Sequence, residues 1–100
     1  MLIWIPVDRS DEKSAKVTKV LDVKKWALID FDEGIVQSVR FFDKKEDFDD
    51  WVDFIILENK FENYIEYMNE GMVVLCVRKE ETIEDIMEAF KFKELDEVGI

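Results

Sequence analysis

Residues 52–77, VDFIILENKFENYIEYMNEGMVVLCV, constrain the fold more tightly than any other part of the chain. Phe54, Ile55 and Ile56 form a short apolar run and Met72 to Val77 a second. Apolar runs without polar alternation predict strands covered on both faces. Between them Phe61, Tyr64, Ile65 and Met68 recur at i, i+3, i+4 and i+7, the spacing of one helical face. Asn59 is placed to cap that helix, with Glu62 three residues later as in a capping box. Gly71 falls where a terminating residue takes positive φ without a Cβ penalty. A strand–helix–strand unit of this kind pairs its strands in parallel through a right-handed crossover. The turn at 57–61 then lies at a strand's carboxyl end, where open α/β sheets bind ligands.

The flanking segments supply the rest of a sheet. Leu2 to Val7 is apolar at consecutive positions and predicts a strand, with Pro6 at its end because proline removes a ladder donor. Residues 9–22 are polar apart from Val17, Val20 and Leu21, and predict a loop that partly returns to the core. A loop of this length in a small domain is a second candidate site. Trp26–Phe31 and Ile35–Phe42 predict an antiparallel hairpin around Asp32-Glu33-Gly34, with Gly34 supplying the positive φ. In its second strand Ile35, Val39 and Phe41 make the more buried face, and Gln37 interrupts the alternation. Asp43 and Glu46 have the spacing of a helix cap and its partner, predicting a short helix resting on Phe48 and Trp51. The last helix is signalled by Thr82 and Asp85, an acidic first turn, and Lys91 and Lys93 near its other end. Ile83, Ile86, Met87 and Phe90 form its buried face. The expected order is βββαβαβα, a mixed five-stranded sheet with helices packed on it, forming one α/β domain over residues 1–100.

Composition excludes several function classes. A net charge of −11 repels phosphate backbones and anionic lipid surfaces, so neither nucleic acid nor membrane is an expected partner. No apolar run approaches the ~20 residues of a spanning helix. Met1–Val7 lacks the basic start and length of a secretion signal, and the lone Cys76 forms no intramolecular disulfide. A cytoplasmic location is therefore expected.

Catalytic chemistry finds little support. The chain has no histidine, so Ser10, Ser14 and Ser38 have no imidazole base. Asp8 and Asp30 could hold magnesium for phosphoryl chemistry, but hydrogen bonding to loop amides is the simpler role. The acidic run 43–53 lacks the glycine and terminal glutamate of a calcium loop. Cys76 could ligate iron; alone in a strand it reads as a small buried hydrophobe. No enzyme activity and no metal-ligand set are expected. Trp51, Phe61 or Phe92, if exposed beside the 57–61 turn, would serve as an anchor for a protein partner.

Several local strings resemble the dinitrogenase iron-molybdenum cofactor biosynthesis family, the NifX-like domains. The likeness runs from Ile5-Pro6-Val7-Asp8 through Ala27-Leu28-Ile29-Asp30 and the acidic hairpin ending at Gly34. It is strongest over Asn69-Glu70-Gly71-Met72-Val73-Val74 and Thr82-Ile83-Glu84-Asp85-Ile86-Met87-Glu88-Ala89-Phe90. It implies a three-layer ribonuclease H-like fold and carriage of an iron-molybdenum or iron-sulfur cofactor precursor. Two family strings are replaced. Val20-Leu21-Asp22 stands where many members carry His-Phe-Gly, and Leu57-Glu58-Asn59-Lys60-Phe61 stands in place of a Gly-Gly-x-Gly-Pro turn. The lost glycines remove close backbone approach to a bulky anion. The resemblance thus implies a non-catalytic domain with an altered site, whose cofactor stays undefined. The candidate contacts for a small ligand or metal-cluster precursor are Asp8, Lys19, Asn59 and Lys60 in the two loops. The alternative is a protein-interaction module, binding a partner or a second copy of the chain, that kept the fold and lost the cofactor site.

Overall fold

Strand β1, Leu2–Val7, organises the sheet because it is covered on both faces and paired along both edges. In the computed structural model, which describes residues 1–99, it pairs antiparallel with β2, Lys25–Asp32, and parallel with β4, Phe54–Leu57. Outside these lie β3, Ile35–Phe42, antiparallel to β2, and β5, Val73–Cys76, parallel to β4. A two-residue strand β6, Asp96–Glu97, pairs antiparallel with Leu75 and Cys76, so the sheet has six strands in the order β3-β2-β1-β4-β5-β6. The expectation of five strands is corrected here. A charged dipeptide has no period to reveal it, and only its backbone pairing with β5 makes it a strand.

Alternation along β1 divides the interior in two. Ile3, Ile5 and Val7 join Ala27, Ile29 and Ile56 beneath helix α2, Ile83–Lys91, which contributes Ile83, Ile86 and Met87. Trp4 faces the other way, among Trp26, Leu28, Ile55, Leu57 and Val74, beneath Tyr67 of helix α1, Ile65–Asn69. The α2 start matches its signal: Thr82 caps it by accepting the Asp85 N–H at 3.2 Å. Within the described residues no helix is long and apolar enough to cross a membrane.

The hairpin turns on Glu33 and Gly34, both at positive φ. Gln37 interrupts the β3 pattern because it is the extra residue of a bulge: Asp30 pairs with Ser38 but Phe31 with Val36. The inward face is accordingly Val36, Val39 and Phe41, and Ile35, expected inside, is exposed.

Two helices differ from expectation. The helix expected near Asp43 is only a 3₁₀ turn at Lys45–Asp47 without a side-chain cap; Asp43 instead pairs with Lys25. Phe48 is half-buried as expected, but Trp51 is 61% exposed and lies over Gly71. Helix α1 begins at Ile65 and not after Asn59, so Phe61, Ile65 and Met68 are exposed while Tyr67 is the residue it buries. Gly71 does end it, with φ +90 and its N–H on the Met68 carbonyl at 2.9 Å.

Candidate functional site

The chain leaves β1 toward β2 on one side and leaves β4 toward β5 on the other, so the strand order reverses between β1 and β4. A reversal of this kind opens a crevice at the carboxyl ends of the two strands, because their connections diverge. Here those connections are residues 8–24 and 58–72, and a groove of about 480 Å³ lies between them.

The first loop is held by its backbone. The Asp8 carboxylate accepts the Lys16 N–H at 3.0 Å and the Arg9 Nε at 3.2 Å. The Lys16 amide, then Arg9, hold the Asp8 carboxyl below its usual range against the opposing effect of burial. Thr18 N–H donates to Pro6 at 2.9 Å, Lys24 N–H to Val7 at 3.0 Å, and Val17 N–H to Glu81 at 2.9 Å. These bonds return the chain to the sheet, where Val20–Asp22 forms a 3₁₀ turn. Val20 is half-buried, but Leu21, expected to help anchor the loop, is 96% exposed. Ala15, without a sequence signal of its own, is fully buried instead.

The second loop is a polar turn. Asn59 Oδ1 accepts the Phe61 N–H at 2.8 Å, an Asx turn in place of a helix cap. Glu62 then joins the loops: Oε1 accepts the Val20 N–H at 2.7 Å, and Oε2 accepts those of Glu58 at 3.1 Å and Asn59 at 3.2 Å. One carboxylate thus satisfies three backbone donors that no secondary structure serves.

Lys19 and Asn59 line the groove together, with Leu21, Phe61, Glu66 and Tyr67. Lys60 does not line it; its amine lies 5.5 Å from the centre of the Phe61 ring. Asp8 stands apart and shapes the loop that carries Lys19. Sequence reasoning gave Glu62 a capping role and missed its long-range partner. The signal was chemical, a carboxylate three residues after a polar turn, and the same hydrogen-bonding capacity is used between loops.

Direct metal ligation does not fit these residues. Cys76 is 3% exposed, and burial pushes its thiol pKa up, which disfavours the thiolate that a metal requires. Among the described residues no group of three or more Cys, Asp and Glu is placed to hold a metal ion. Asp8 and Asp30 fall at opposite ends of the β1–β2 ladder, since Asp30 pairs with Leu2 and Asp8 follows Val7.

Tyr67, under the groove, makes a test of the site's packing. Burial, with the carboxylates of Glu66, Glu62, Glu70 and Glu46, pushes its phenol up to about 12. The folded state therefore keeps a proton that the unfolded chain releases near pH 10. The stabilising contribution is full below pH 10 and disappears as pH rises toward 12. Two pKa units set a ceiling of ~2.7 kcal/mol, and solvent screening of the glutamates reduces the expected loss to about 2 kcal/mol. Denaturation of the wild type and Tyr67→Phe across pH 9–12 checks it. Equal alkaline losses in the two would show that Tyr67 is not the titrating group.

No family model matches the chain, and no curated protein matches it. Solved structures do. A protein of Methanocaldococcus jannaschii named as a candidate dinitrogenase superposes with a TM-score of 0.75 at 17% identity, over 99% of this chain and 95% of that one. The protein PH0822 gives 0.71 at 18% identity, over 97% and 96%. At these identities the likeness is one of fold: the chain has the α/β fold of a dinitrogenase-named protein over nearly its whole length.

Proposed function

We propose that this chain is a non-catalytic NifX-like domain on a ribonuclease H-like frame, and that its groove binds a compact cargo of the iron-molybdenum or iron-sulfur precursor kind. The observation that carries this reading is the groove's position at the carboxyl ends of β1 and β4, where the strand order reverses. The fold likeness to a candidate dinitrogenase agrees with it. Binding rests on packing and hydrogen bonds at the cargo's periphery. Lys19, in no ion pair among the described residues, offers a cation. Lys60 adds positive charge beside Phe61, and one Asn59 amide hydrogen goes to Glu58, leaving the other for ligand. Asp8 positions the loop. Leu21 and Phe61, at 96% and 86% exposure, favour the second reading, in which the same groove receives an apolar side chain of a protein partner.

Anaerobic incubation with ferrous iron, sulfide and tetrathiomolybdate, followed by desalting, metal analysis and absorption spectra, separates these readings. Wild type and Cys76→Ala are expected to retain metal alike, and a Lys19→Glu, Phe61→Asp double variant to lose about tenfold in affinity. Loss in Cys76→Ala would establish thiolate ligation. A colourless, metal-free wild type would leave the protein-partner reading.

A further inference from the structure

A second cavity, of about 490 Å³, opens at the other end of the sheet, between the β2–β3 turn, the last turn of α2 and strands β4 and β5. Its floor is aromatic. Phe90 meets Phe31 edge-on at 5.4 Å and Phe54 at 5.0 Å. Phe54, Phe90 and the neighbouring Leu75 are only partly buried, so this end of the core is open to the cavity.

The mouth is cationic. Among the described residues Lys91 and Lys93 line it, no carboxylate does, and neither lysine forms an ion pair. In a chain with 25 acidic and 14 basic residues, two lysines outside any ion pair among the described residues stand beside an apolar floor. The Lys91 stem crosses the turn, with Cε 3.3 Å from where a Cβ on Gly34 would stand. Lys93 takes φ 58 just past the helix end, a position that glycine occupies at lower cost.

We infer that this cavity binds a small amphipathic monocarboxylate, an arylalkanoate or medium-chain fatty acid, with its apolar body on the Phe31, Phe54 and Phe90 rings and its carboxylate at Lys91 and Lys93. The volume is that of small-molecule pockets, which combine an apolar lining with a few polar groups that orient the ligand. A single carboxylate suits the mouth, where two lysines border an apolar floor.

The test is titration of 4-phenylbutyrate and octanoate into the full chain, followed by NMR, with 4-phenylbutanol and octanol as neutral controls. The acids are expected to give saturable shifts centred on Phe31, Phe54, Phe90 and Lys93, and the alcohols to bind about tenfold more weakly. A Lys91→Gln, Lys93→Gly double variant removes both charges while relieving the Lys93 backbone, so its spectrum elsewhere should be unchanged. In it the preference for acid over alcohol should vanish. Equal affinity of acid and alcohol for the wild type, an acid preference that survives in the double variant, shifts centred on Leu21 and Phe61 instead, or no saturable shift would each overturn the inference.

Discussion

Trp4→Ala is expected to cost about 3–5 kcal/mol of folding stability, as for other buried tryptophans cut back to alanine. Trp4 is 3% exposed and central to the core on the α1 side. Its ring meets Trp26 at 6.0 Å, Phe42 at 5.8 Å and Phe48 at 6.0 Å, all edge to face. Removing it takes away the aromatic pairs together with the buried area, and β1 cannot collapse into the void because it is paired on both edges. A domain of this size is stable by about 5–15 kcal/mol, so the variant should sit near the limit of folding. Denaturant titration of the wild type, Trp4→Phe and Trp4→Ala measures the series. Phe should retain more than half the stability that Ala loses. A loss below about 1.5 kcal/mol for Ala would mean that the α1 side is loosely packed.

The elements legible in the sequence are those whose determinants lie within a few residues. Thr82 caps α2 through a bond to Asp85, three positions away, and the α2 apolar stripe meets one continuous core. Gly34 makes the hairpin turn with its own φ, and Gly71 ends α1 in the same way. Misreadings arise where a distant partner decides. The helical spacing of Phe61, Tyr64, Ile65 and Met68 is real, yet Phe61 is 86% exposed because the chain from Glu58 to Glu62 is folded into a polar turn. Periodicity alone does not show that Glu62 binds an amide 42 positions away. The β3 pattern misleads for a related reason. The bulge at Gln37 moves the inward set from Ile35 to Val36, and the pairing with Asp30 and Phe31 specifies where it falls.

The groove between the two loops is legible from the sequence as a candidate site, because strand order and loop length are coarse properties. Lys19 and Asn59 come together since both loops leave carboxyl ends of adjacent parallel strands. Lys60 and Asp8, equally polar and in the same loops, are directed elsewhere by local hydrogen bonds and by stacking on Phe61. The apolar walls were the harder part. Leu21 reads as a core residue and Phe61 as a helix-face residue, and only their placement across from each other in the groove identifies them as its jaws. The cavity over Phe31, Phe54 and Phe90 was hidden in the same way, since each ring has the pattern of an ordinary core position.

Glu62→Ala is expected to destabilise the chain by about 3 kcal/mol and to open the groove. The Glu62 carboxylate accepts from Val20, Glu58 and Asn59, at 2.7, 3.1 and 3.2 Å. Net values near 1–1.5 kcal/mol for each such bond, less what water restores at half-exposed amides, give that figure. Without the carboxylate, the 3₁₀ turn at Val20–Asp22 has no side-chain tie to the 58–62 turn, and the two walls of the groove separate. Glu62→Gln retains the length and one carbonyl acceptor, but sets an amide donor against backbone donors, so a loss of about 1–2 kcal/mol is expected. Denaturation gives the stabilities, and hydrogen exchange at Val20, Glu58 and Asn59 locates the effect: protection at these amides should fall while that of β1 and α2 is retained. Uniform loss of protection would show that Glu62 supports the whole fold. Unchanged protection at Val20 would show that the loops are held together by their apolar contacts alone, and the groove would then keep its shape without this carboxylate.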